Sequence, residues 1–170
     1  LRASACGDRV AMVVRNITGE HHAECELDAR LRKLQSLYQI FRLSRGATEL
    51  RQLARHTTAA TVGAVYDGGQ AYCHLAFGDT QADAGNAAVG GATLVAPVFD
   101  GGASPGMLQL RLAEGIRPSR DDQRFVNAVA EATSSWLRGQ RAQQTSERYR
   151  RVAERAQDGM ALVGPDLCYQ

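Results

Sequence analysis

The sequence predicts an α+β fold: an antiparallel sheet of about four to six strands, with long helices at both ends of the chain packed on one of its faces. Three observations carry this. In Met107–Leu112, Leu108, Leu110 and Leu112 alternate with Gln109 and Arg111, the period-two signature of a strand with one buried and one wet face. Two Asp-Gly-Gly triplets, Asp67–Gly69 and Asp100–Gly102, lie between strand-like runs as turn signals. Apolar residues at steps of three and four mark a helix before the strands and another after them.

Taken in order, Val10–Val14 reads as a strand, closed by Arg15-Asn16-Ile17-Thr18, with Thr18 suited to cap the helix that follows. From Glu20 the pattern is helical. Leu27, Leu31, Leu34, Tyr38 and Phe41 form a heptad seam, and Leu37, Ile40 and Leu43 widen it, so the second half of this helix is expected to pack on a core as well. Gly46 ends the helix. Thr48–Arg55 reads as a short second helix with Leu50 and Leu53 inward. Strands are expected at Thr61–Tyr66 and Ala71–Phe77, joined as a hairpin, and at Thr93–Phe99 and Met107–Leu112. Pro97 cannot donate to a ladder, which puts its strand at an edge or a bulge. Gly78–Gly91 is small and polar, with room for one short strand or helix.

A long helix opens near Ser119, with Asp121 and Asp122 where the macrodipole favours anions. Phe125, Val126, Val129, Ala132, Trp136 and Leu137 give it an apolar face, and Arg138–Ser146 is polar all round. Tyr149, Val152 and Ala156 share one face of the charged continuation, after which Met160–Val163 reads as a strand and Gly164-Pro165-Asp166 as a turn.

The 170 residues suffice for one domain with flanking pieces. A net charge of +2 is too near neutral to argue for nucleic acid, and Lys33 is the only lysine. Every apolar run is too short to span a membrane, and no signal peptide is recognisable. The four cysteines (Cys6, Cys25, Cys73, Cys168) have no metal or disulfide spacing, so free thiols and a cytoplasmic location are expected.

The final stretch Glu147–Gln170, a charged helix running into Asp158-Gly159, an apolar strand and a Gly-Pro-Asp turn, resembles the start of a PAS domain. Val10–Thr18 resembles the end of another, with Asn16 where that family usually has Asp. Between them, Gly101-Gly102 with Gly106–Leu110, then Ser119–Asp122 and Phe125–Ala130, resemble a GAF domain. The division that follows is 1–18 as a PAS end, 19–33 as a linker helix, 34–141 as a GAF-like domain, and 142–170 as a linker helix with the start of a second PAS domain. The chain then reads as the middle of a longer protein. Such modules form the sensory front of bacterial signalling proteins whose outputs are histidine kinases or diguanylate cyclases. They act as parallel homodimers joined through the helices that enter and leave each module. The resemblance therefore implies the chain itself and the flanking PAS and output domains as partners, and no nucleic acid or membrane contact. The middle of the GAF-like stretch shrinks to Gly78–Gly91, so a small or absent pocket is expected.

On that basis the expected dimer interface is the seam Leu27, Leu31, Leu34, Tyr38 and Phe41 with the exit face Val129, Trp136 and Leu137. Any small ligand would lie between the sheet and Gly78–Gly91, touching Tyr66, Tyr72, His74 and Phe99. Cys73-His74 has the order by which bilin-binding GAF domains hold pigment, but strand alternation puts Cys73 on the apolar face with Leu75, as a core residue. His21, His22 and Cys25 lack further zinc ligands nearby and read as a solvated helix face. Asp121-Asp122 reads as helix N-terminal charge rather than a metal site, and Arg117, Arg120 and Arg124 as solvated. The function expected is a non-catalytic sensory or relay module with no cofactor. The alternatives are a ligand-free dimerisation spacer and a thiol-dependent methionine sulfoxide reductase working through Cys73.

Overall fold

The computed structural model describes residues 2–47, 49–65, 69–102 and 105–160, with side chains described from residue 21 to residue 156. Three helices, α1 (Arg2–Gly46), α2 (Leu50–Val65) and α3 (Arg120–Met160), enclose in sequence four strands: β1 (Ala71–Phe77), β2 (Thr80–Gly85), β3 (Thr93–Val98) and β4 (Gly106–Leu112). All pairings are antiparallel, in the order β2-β1-β4-β3. The expected α+β class and antiparallel sheet are therefore present.

The layers follow from which faces are apolar. Cys73 and Leu75 of β1, Ala82 of β2, Leu94, Ala96 and Val98 of β3, and Leu108, Leu110 and Leu112 of β4 point to one side and are buried. Helix α2 covers the β1–β2 half of that face and α3 the β3–β4 half. Helix α1 forms a third layer, packed chiefly on α2 and α3. Ile40 is the α1 residue driven deepest into the core. β3 is an edge strand, as Pro97 requires.

Three expectations about elements need correction. Val10–Val14 lies within the continuous helix α1; a short apolar run carries no period that separates strand from helix. Thr61–Val65 lies in α2, which runs well beyond Arg55. Its β-branched residues suggested a strand, but burial overrides that preference, and the threonine hydroxyls turn back onto the helix: Thr58 Oγ1 to Ala54 O at 3.1 Å and Thr61 Oγ1 to Thr57 O at 2.7 Å. Tyr66, Asp67 and Gly68 lie outside the described residues. β1 pairs instead with β2, inside Gly78–Gly91, through a Gly78-Asp79 turn in which Gly78 takes φ +54°. At the far end, Asp158, Gly159 and Met160 are still helical, and the rest of the expected strand and turn lies outside the described residues.

The start of α3 is fixed by a reciprocal cap. Ser119 Oγ accepts from the Asp122 N–H at 3.1 Å, and Asp122 Oδ2 accepts from the Ser119 N–H and hydroxyl, both at 2.7 Å. Asp122 Oδ1 meets Lys33 Nζ of α1 at 2.7 Å, with both side chains largely buried. Burial pushes the Asp122 carboxyl up, but the Lys33 ammonium and the Ser119 hydrogen bonds outweigh it and hold the group below its ordinary value of 3.8. A lowered folded-state pKa contributes stability above the unfolded value and loses it as pH falls through the folded one. Lys33→Met is expected to lower the urea-unfolding free energy at pH 7 by about 3 kcal/mol, because it strands a buried carboxylate. The deficit should shrink as pH falls toward the wild type's lowered value, because the variant's stranded carboxylate, without Lys33, takes up its proton first. An equal deficit at pH 7 and pH 3 would contradict this role.

Candidate functional site: a two-faced helix and an open sheet

Helix α1 carries two stripes. Ala29, Lys33, Ser36, Ile40 and Leu43 are buried or half-buried against the platform, and Ser36 Oγ donates to Ala60 O of α2 at 2.7 Å. Leu27, Leu31, Leu34, Tyr38 and Phe41 repeat the same spacing displaced by two residues, about 200° round the helix. They lie off the platform stripe, with exposures of 58, 45, 62, 68 and 50%, and only Phe41, the last of them, also borders α3. The seam is thus free of the chain's own core. Five large apolar side chains in one exposed row exceed what scattered surface hydrophobics explain.

Helices α1 and α3 run parallel. Arg30 Nε meets Asp121 Oδ2 at 3.5 Å beside the Lys33–Asp122 pair. About three turns further on, Phe41, Ser44 and Arg45 share a groove with Ala132, Ser135, Trp136 and Gly139. The N-terminal half of α1 therefore enters the platform at one pole and the C-terminal half of α3 leaves at the other. α3 has 41 residues, which makes it ~60 Å long. Residues 141–156 are exposed throughout, Tyr149 and Val152 among them. The expected exit face of the interface needs correction: Val129 and Leu137 are buried in the chain's own core, and Trp136 is half-buried against it, its indole N–H buried without a partner. The helix face that looks apolar in sequence is the one the sheet uses.

The other face of the sheet is covered by no described element. Its side chains form three rows across the strands: Gly85, Tyr72, Arg111, Thr93; Asp83, His74, Gln109, Val95; and Gln81, Ala76, Met107, Pro97. Two of the proposed ligand contacts meet here. Tyr72 Oη donates to Asp83 Oδ1 at 2.5 Å, and His74 Nδ1 lies 2.6 Å from the same oxygen. Arg111 stacks over the Tyr72 ring at 5.3 Å. The Tyr72 and His74 hydrogen bonds hold the Asp83 carboxyl below its ordinary value, and the same hydrogen bond, with Tyr72's own desolvation, raises the Tyr72 phenol. Phe99 lies past Val98 at the opposite end of the sheet, so it joins neither residue. Tyr66 lies outside the described residues. Gly78–Gly91 contributes β2 to the sheet instead of roofing it, which removes the expected ligand position. Asp83 is hidden in the sequence because its strand is; the Gly78-Asp79 turn signal is the mark that betrays both.

Cys73 is fully buried, and burial pushes its thiol up to about 12 despite a hydrogen bond with Thr61. A thiol so placed is held in its protonated form and out of contact with solvent. Cys25 is exposed on α1, its Sγ 4.0 Å from His21 Nε2 rather than beside His22. No group of three or more potential metal ligands occurs among the described residues, and Asp122 serves as the α3 cap. No described helix is long and apolar enough to cross a membrane.

In a variant with Cys6 and Cys168 replaced by serine, an aromatic disulfide reagent should label Cys25 promptly and Cys73 only on unfolding. Two fast thiols in the native protein would overturn the burial of Cys73.

Comparison of the chain with family models, with curated proteins and with solved structures finds no match, so the two-faced helix and the open sheet carry the functional reading.

Proposed function

We propose that the chain is a relay module of a multidomain signalling protein, acting as a parallel homodimer in which the α1 seams of two copies pack on each other. The exposed stripe Leu27, Leu31, Leu34, Tyr38 and Phe41 carries this reading. Its three-four spacing is what a second helix of the same kind accepts as knobs into holes. The parallel course of α1 and α3 supports the relay role, since a shift in α1 reaches α3 through the Lys33–Asp122 and Arg30–Asp121 pairs and leaves at the opposite pole. The order of two helices, four strands and a helix supports the likeness of 34–141 to a GAF domain and, with it, a place between sensory and output domains of a bacterial protein.

Burying the exposed half of each seam side chain recovers about 1 kcal/mol, and association has its own cost, so the dimer is expected to be concentration-dependent. Light scattering across a wide concentration range should show monomer giving way to dimer, and Leu34→Glu should hold the chain monomeric with unchanged circular dichroism. A wild-type chain monomeric at every concentration would sink the proposal.

The bare sheet face favours one variant of this reading, a spacer that binds no ligand, because no described element roofs Tyr72 and His74. A spacer's thermal midpoint should stay put across a small-molecule library, whereas a sensor's rises with its ligand.

A further inference from the structure

The β3–β4 hairpin does more than join two strands. Its residues Phe99–Gly102 hold α3 at the turn where that helix stops being part of the platform. The Phe99 N–H donates to the buried Ser134 Oγ at 2.9 Å, at the partly covered margin of the core. One residue later, Asp100 Oδ2 accepts from Arg141 Nη1 at 3.1 Å. Asp100 Oδ1 accepts from the Gly102 N–H at 2.6 Å, which fixes the carboxylate's orientation. Gly102 is also what makes room for the guanidinium: a Cβ there would collide with Arg141 Nη1. Among the described residues, the hydrogen bonds and ion pairs of α3 beyond Arg141 are all within the helix itself, such as Gln143 to Glu147 and Arg150 to Glu154.

We propose that Asp100–Gly102 is a clasp on Arg141, which sets the point at which α3 becomes a free rod and whose opening releases that rod without unfolding the platform. The clasp rests on the relay reading and gives it a mechanical element on the output side. The entering helix is tied to α3 at Asp121 and Asp122, so the clasp is a second, separate hold about five turns away. Phe99, directly before it, is 43% exposed. A ligand or partner domain that pulled on Phe99 would act on Asp100 through one peptide unit. Asp100 and Arg141 are partly solvated, which keeps the contact weak enough to open.

Amide hydrogen exchange on the full chain tests this in Asp100→Asn and Gly102→Ala. The second displaces only side-chain ends, the Arg141 guanidinium and the Asp100 carboxylate, so it spares the fold. Both should speed exchange in peptides covering 138–145 by about two- to fivefold, the range open to a partly exposed ion pair. Exchange in 120–134 and in the four strands should not change, and high salt should move the wild type toward the variants. Unchanged exchange at 138–145 in both variants would overturn the clasp. So would an equal rise across 120–134, since the contact would then be an ordinary part of global stability. Should Asp100→Asn fail to fold, Arg141→Gln takes its place with the same two outcomes. Light scattering of the same variants separates this from the relay reading: a dimer with an unaffected 138–145 sinks the clasp alone, whereas a wild-type monomer sinks the relay.

Discussion

Helix α1 has more apolar surface than its own fold can cover, and that excess shapes everything around it. One stripe, from Ala29 to Leu43, seals the outer side of α2 and α3. The same spacing two residues earlier puts three leucines, a tyrosine and a phenylalanine into water. A helix serving only as a lid would be polar on its outer side. The cost of wetting that row is recovered only when a second apolar helix meets it, so the hydrophobic effect on α1 points outward as strongly as it points inward.

The fold then sets the direction in which such a contact could be passed on. Lys33 and Arg30 fix α1 against the first turn of α3, where Ser119 and Asp122 cap each other. Of these links the Lys33–Asp122 pair is the stiff one, because both charges are largely out of water. The contacts around Asp100 and Arg141 are of the opposite kind, partly exposed and weak. In the proposed relay, the stiff link lies where α1 meets the start of α3 and the loose one where α3 leaves the platform, an arrangement that suits receiving a displacement and releasing a helix. The sheet beneath is a base for both helices, its open face organised by Asp83 but shallow, since β2 extends the sheet sideways where a roof would have stood.

How much of this was legible in the sequence differs by element, for physical reasons. β3, β4 and α3 were legible because each carries an unambiguous signal: the alternation of Leu108, Leu110 and Leu112, the ladder-breaking Pro97, and the acidic first turn after Ser119. The seam of α1 was visible as steps of three and four, and so was the C-terminal part of the platform stripe; its earlier members Ala29, Lys33 and Ser36 were not, because small and charged residues carry no apolar period. The outward seam and the inward Leu37, Ile40 and Leu43 were assigned from their place in the chain, since the seam starts before the domain core can reach it. Thr61–Val65 misled because β-branched residues can satisfy their hydroxyls inside a helix as Thr58 and Thr61 do. Val129 and Leu137 were assigned outward because periodicity reports that a face is apolar, not what covers it. The Tyr72, His74 and Asp83 cluster was half-visible: two members share β1, and the third sits on a strand whose small polar residues give almost no pattern.

The most direct test of the two-faced helix is site-specific disulfide trapping. In a chain with Cys6, Cys25 and Cys168 replaced by serine, a single cysteine is introduced as Leu34→Cys, and in a control as Gln39→Cys, which is exposed but off the seam. A parallel, in-register pair of α1 helices brings the two copies of position 34 within disulfide reach, and not those of position 39. Mild oxidation should therefore give a covalent dimer from Leu34→Cys in high yield and little from Gln39→Cys. Equal yields from the two positions, or none from Leu34→Cys, would contradict the account.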